Sequence, residues 1–78
     1  MGAKRTQSAL DAMLVKANGK SRQLPEGTTI QQFLERAGLP AERIVVEHNG
    51  EPRRRQEFAS IVLRAGDTLE IAQMVGGG

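Results

Sequence analysis

The chain has 78 residues, 38% of them apolar, and its eleven Lys+Arg against nine Asp+Glu leave a net charge of +2. That length holds one domain, and a domain so small buries only roughly 60% of its unfolded surface, which argues against an enzyme with a deep, walled pocket. The absence of Cys excludes a disulfide framework, a Cys-based zinc site and a thiol nucleophile; a single His excludes a multi-His metal site; and two Phe with no Trp or Tyr leave almost nothing to stack on bases.

The longest apolar run, Ala12-Met13-Leu14-Val15, is far too short to span a membrane. Lys4-Arg5 followed by Ala9-Leu10 does not make a signal peptide, because Asp11 interrupts the apolar stretch. The expectation is a cytoplasmic, non-enzymatic domain that binds neither membrane nor nucleic acid. The pI near 9.7 does not alter this. Nucleic-acid binders need clustered cations to displace several counterions, and the only cluster, Arg53-Arg54-Arg55, is flanked by Glu51 and Glu57. It reads first as a solvated turn and second as a docking patch for an acidic protein.

Residues 1–12 are polar and small without a sustained period, and read as a disordered lead-in or extension. From Met13 the pattern alternates: Met13, Val15 and Ala17 share one face of a strand. Asn18-Gly19 is a two-residue hairpin signal, since both central positions of a type I′ turn need positive φ. Ser21 to Leu24 is the returning strand, ended by Pro25-Glu26-Gly27. Thr29 can cap a helix and Gln32 can reach back to it. Ile30, Phe33, Leu34 and Ala37 then form one apolar face, which predicts a helix over about 29–38 with all four buried. Gly38 stops it, Leu39 folds back onto it, and Pro40 prevents continuation.

Ile44 to His48 is a β-branched strand, and Asn49-Gly50 is a second turn signal. Pro52 disfavours a central strand at that point. Residues 53–63 show no regular period, but Phe58, Ile61 and Leu63 must reach the core. Gly66-Asp67 is a turn, and Thr68 to Val75 is the last strand. Leu69, Ile71 and Gln73 lie on one of its faces, and Glu70, Ala72 and Met74 on the other. One helix cannot fill a parallel α/β layer, so it packs across one face of a mixed sheet. Pairing the two well-patterned strands, first and last, in the middle of that sheet buries both. The expected class is α+β, a ubiquitin-like β-grasp over residues 13–75, with residues 76–78 as a flexible glycine tail.

Three glycines directly after a strand are an unusual placing for a linker. Without Cβ atoms, Gly76 and Gly77 can thread a narrow channel and deliver the unhindered carbonyl of Gly78 to another protein's active site. A carboxylate becomes an acyl donor only when its oxygen is made a leaving group, as in an acyl-adenylate. Gly66-Asp67-Thr68-Leu69-Glu70-Ile71, followed by Met74-Val75-Gly76-Gly77-Gly78, resembles the end of the thiamine-biosynthesis sulfur carrier proteins, the ThiS family. Val46-Glu47-His48-Asn49-Gly50-Glu51, Asn18-Gly19-Lys20 and Gly27-Thr28-Thr29-Ile30 resemble the family's turns and helix start, and the likeness covers residues 13–78. Residues 1–12, Pro52 and the triple arginine depart from the family pattern.

The resemblance implies that an adenylating enzyme of the ubiquitin-activating type, using ATP and magnesium, activates Gly78. Sulfur from a cysteine persulfide, supplied by a cysteine desulfurase, then gives a thiocarboxylate, and a thiazole synthase accepts the sulfur. The domain itself would bind no cofactor. The small subunit of molybdopterin synthase is the nearest alternative, though its tail is usually richer in proline. A ubiquitin-like modifier and a plain interaction domain are the others. Ser8, Ser21 and Ser60 have only His48 to work with, which is no triad. His48 shares the Ile44/Val46 face and reads as a half-buried structural residue. Ala72 and Met74, beside the tail, are the candidate partner-docking residues.

Overall fold

A computed structural model describes residues 12–74. Two Asn-Gly turns organise its sheet. Asn18 and Gly19 take φ of 52° and 81°, and Asn49 and Gly50 take 52° and 83°. This is the type I′ geometry, whose twist matches that of the strands it joins. The first turn connects β1 (Ala12–Ala17) to β2 (Lys20–Pro25), and the second connects β3 (Ile44–His48) to the short β4 (Glu51–Arg53). Between the two hairpins lies β5 (Thr68–Gln73), parallel to β1 and antiparallel to β3. The order is β2-β1-β5-β3-β4, so the first and last strands meet in the middle of a mixed sheet, and the α+β β-grasp class is the one observed. Pro52 falls on the edge strand β4, where its missing N–H breaks no central ladder.

Some boundaries move slightly. β1 starts at Ala12, one residue ahead of the expected domain start. β5 ends at Gln73 rather than Val75, although the Met74 N–H still donates to the Arg43 carbonyl at 2.8 Å. Val75 and the glycines Gly76, Gly77 and Gly78 lie outside the described residues, as do residues 1–11.

The one α-helix among the described residues, α1 (Ile30–Ala37), packs across one face of the sheet. Its capping box forms as expected: Thr29 Oγ1 accepts from the Gln32 N–H at 3.1 Å, and Gln32 Oε1 accepts from the Thr29 N–H at 3.0 Å. The remaining free donors of the first turn explain the irregular stretch before β5. The Ile30 N–H donates to the Ile61 carbonyl and the Gln31 N–H to the Phe58 carbonyl, both at 3.0 Å. Residues 55–63 therefore run as short turns that cover the helix start and drop Phe58 and Leu63 into the core, each 1% exposed, with Ile61 packed against it. Gly38 at φ 72° ends the helix, and the Leu39 N–H returns to the Leu34 carbonyl at 2.9 Å.

Met13, Val15, Ala17, Leu24, Ile44, Val46 and Leu69 supply the sheet side of the core, and Ile30, Phe33 and Leu34 the helix side. One expectation fails: Ala37 is exposed. The core tapers toward this end of the sheet. Along β5, Leu69 is buried, Ile71 half-buried and Gln73 exposed, so the sheet does not close against the last turn of the helix and Ala37 borders an open groove. The apolar stripe outruns the surface it was expected to cover.

Candidate functional site

The candidate site is the end of β5 and the surface around it, because that strand carries the tail. β5 is held by asparagine side chains at its start, Thr68, and past its middle, at Ile71. Asn18 pairs with Ile71 like another strand: its Oδ1 accepts from the Ile71 N–H at 2.7 Å and its Nδ2 donates to the Ile71 carbonyl at 3.1 Å. Asn49 Oδ1 accepts from the Thr68 N–H at 2.9 Å. The left-handed backbone that makes these residues good turn formers also aims their carboxamides at the neighbouring strand.

Nothing among the described residues covers the outer face of the sheet, away from α1. Ala72 stands on it opposite Val45, and Met74 follows one step nearer the tail. Val45 and Met74 are 46% and 52% exposed, and Ala72 is exposed as well. Next along the same face come Glu47 and Glu70, directly opposite each other. The two expected docking residues are thus brought together, with Val45 as an apolar neighbour that alternation on β3 alone could have supplied.

His48 is buried, at 8% exposure, deeper than the half-buried position expected of it. Its partner, Asp67, was not foreseen. His48 Nε2 lies 2.7 Å from Asp67 Oδ2, Asn49 Nδ2 donates to Asp67 Oδ1 at 3.2 Å, and the Arg64 N–H donates to Oδ2 at 3.0 Å. Burial pushes the Asp67 carboxyl up, but the bonds from His48, the Arg64 N–H and Asn49, with the nearby imidazole, outweigh it and hold the group below its ordinary 3.8. His48 Nδ1 is buried with no partner. The ring donates through Nε2, because the carboxylate it faces can only accept.

This cluster fastens the β3–β4 turn to the start of β5, at the end of the strand remote from the tail. It includes no serine. The Ser60 hydroxyl donates to the Glu57 carbonyl, and Ser21 sits on β2. Ser8 lies outside the described residues. Nor does the arginine run form a single patch. Arg53 is half-buried on the core face opposite Val46 and reaches Glu51 at 3.8 Å, while Arg54 closes a short turn with Glu57. Among the described residues no three His, Cys, Asp or Glu side chains are grouped to hold a metal, and no helix is long and apolar enough to cross a membrane.

Comparisons with known proteins agree with this architecture. A crystal structure of the thiamine biosynthesis protein ThiS from Geobacter metallireducens superposes with a TM-score of 0.74 at 30% identity, covering 85% of this chain and 100% of that one. A solution structure of a thiamine biosynthesis protein from the same organism gives 0.71. Two curated proteins named thiazole synthase, from Magnetococcus marinus and Paramagnetospirillum magneticum, are each 30% identical over 66 residues, 85% of this chain. The chain spans only about a fifth of their length, 20% in each case. The family model described as ThiS matches residues 13–78, and on that match the chain belongs to the ThiS family.

Proposed function

We propose that this protein is a sulfur carrier for thiamine thiazole synthesis and that the Gly78 carboxylate is its reacting group. A partner enzyme of the ubiquitin-activating type joins that carboxylate to AMP from ATP with magnesium, releasing pyrophosphate. A cysteine persulfide, charged by a cysteine desulfurase, attacks the carbonyl and expels AMP. A thiol then cleaves the acyl disulfide and leaves the thiocarboxylate. A thiazole synthase accepts the sulfur, which is softer and more nucleophilic than carboxylate oxygen. The domain contributes binding and positioning, and the partners contribute the catalytic groups.

The observation that carries this reading is β5 itself: a central strand clamped by Asn18 and Asn49 that leads toward Gly76, Gly77 and Gly78. Family membership supports the thiamine assignment. The resemblance to one fifth of two proteins named thiazole synthase supports that enzyme as the acceptor, since there the carrier-like stretch is part of the same polypeptide. The exposed Val45, Ala72 and Met74 are the surface on which the partners dock.

The test is intact-mass spectrometry after incubation with an adenylating enzyme, ATP, magnesium and a sulfur donor. The parent chain exchanges one carboxylate oxygen for sulfur. Deleting Gly78 draws the carboxylate back by at most ~3.6 Å, enough to leave near-attack distance, and adding one residue after it moves the reacting carbonyl off Gly78. Both variants fold like the parent and accept no sulfur. Full sulfur incorporation at the end of the lengthened chain would refute the mechanism.

A further inference from the structure

We propose that the open edge of β2 and the groove between β2 and α1 form a second binding site, for an extended peptide segment that joins an apolar stretch to carboxylates. The site is separate from the outer sheet face.

The sheet has two edges. β4 is three residues long and contains Pro52, which blunts it. β2 is six residues long. In a two-residue hairpin the pair beside the turn, here Ala17 and Lys20, exchanges backbone hydrogen bonds, and every second pair repeats this. Ser21 and Gln23 therefore turn their N–H and C=O groups away from β1 to the open edge, and nothing among the described residues bonds to them. This is a template for one more strand.

The groove beside that edge has a defined chemistry. Its volume is about 290 Å³, and it is lined by Phe33 and Ala37 of α1, Leu39, Ile71, and Lys20 and Arg22 of β2. The floor is apolar, and the exposed Ala37 belongs to it: the helix stripe that outruns the sheet ends here. Lys20 and Arg22 stand opposite Ala17 and Val15, on the core-facing side of β2, where an apolar residue is the usual choice. Arg22 is held over the Phe33 ring, 5.6 Å from its centre. No carboxylate lines the groove. Inward-facing cations on an edge strand repel indiscriminate apolar pairing. The same two charges admit a strand that brings acidic residues with its apolar ones, and this charge complementarity fixes the occupant as an acidic-apolar peptide.

The probes are two capped peptides of alternating valine and isoleucine, four residues long, followed by two aspartates in one and two lysines in the other. Backbone amide shifts of the isotope-labelled full chain are followed by NMR during titration. The aspartate peptide moves Ser21, Gln23 and Ala37 and binds about tenfold more tightly than the lysine peptide, as two surface ion pairs exchanged for two repulsions require. Ala37→Gln, at an exposed helical position, keeps the parent Tm and weakens the aspartate peptide by about tenfold. The double variant Lys20→Glu/Arg22→Glu reverses the preference between peptides. No shift with either peptide at millimolar concentration overturns the proposal. So do shifts confined to Val45 and Ala72, or an equal affinity for the two peptides.

Discussion

Replacing Asp67 by Asn changes few atoms and leaves no good hydrogen-bonding arrangement. Asp67 Oδ2 accepts from His48 and from the Arg64 N–H, and Oδ1 accepts from Asn49. If the new amide nitrogen takes the place of Oδ2, it faces His48 Nε2 and the Arg64 N–H, donor against donor. The ring can relieve the first contact only by moving its proton to Nδ1, which is buried without a partner. If the amide nitrogen takes the place of Oδ1, it faces Asn49 Nδ2. Asn49 cannot turn over, because its Oδ1 already accepts from the Thr68 N–H. Either rotamer strands at least one polar group in a partly buried site, at a cost of about 1–3 kcal/mol. For a domain of this size each kcal/mol lowers Tm by roughly 4–8 °C, so Asp67→Asn should melt at least about 4 °C below the parent by circular dichroism at pH 7.

The pH dependence provides a second check. The folded carboxyl is held below 3.8, so its contribution is fully present above the unfolded value of about 3.9. It is lost as pH falls through the lower folded value. The gap between parent and variant should therefore narrow in that acid range. A variant that melts with the parent at pH 7, or a gap that persists unchanged at the acid end, would refute the account.

Leu34, 1% exposed beneath the helix, should cost about 2–5 kcal/mol on replacement by Ala, read as a shift in the urea midpoint. Asn18→Gly keeps the positive φ of the turn but removes both side-chain bonds to Ile71. A loss of about 1–3 kcal/mol and faster amide exchange at Ile71 are expected. Met74→Asp changes a side chain that is 52% exposed, so Tm should hold while calorimetry shows weaker binding to the adenylating enzyme or the synthase. Unchanged binding would place the docking surface elsewhere.

Local chemistry was the legible part of the fold. Asn18-Gly19, Asn49-Gly50, the Thr29–Gln32 capping box and Gly38 each act within four residues, and each appears where the sequence puts it. What sequence could not supply was distance. His48 and Asp67 are 19 residues apart, and no period joins them. A signal was nonetheless available: once β3 and β5 are paired antiparallel with His48 opposite Leu69, the turn before β5 must lie beside the turn after β3. Ala37 failed for a related reason. A helical period says which side chains share a face but not how far the opposing sheet extends beneath them.

The two Asn-Gly turns join the fold to the proposed function. The backbone ladder between β1 and β5 comprises only the pairs Lys16↔Thr68 and Ala17↔Leu69 before β1 turns away. The Asn18 N–H still reaches the Leu69 carbonyl at 2.9 Å, and its carboxamide then stands in for the missing strand at Ile71. On the other side, β3 pairs with β5 as far as Ile44↔Gln73, and the Arg43 carbonyl holds the Met74 N–H. β5 is therefore secured on both sides through Ile71 and on one side to Met74, four residues before Gly78. Those four residues reach at most about 14 Å when extended. A partner that engages the outer face at Val45, Ala72 and Met74 thereby fixes the root of the tail, and the distance from that face to its reactive centre has an upper limit set by this chain.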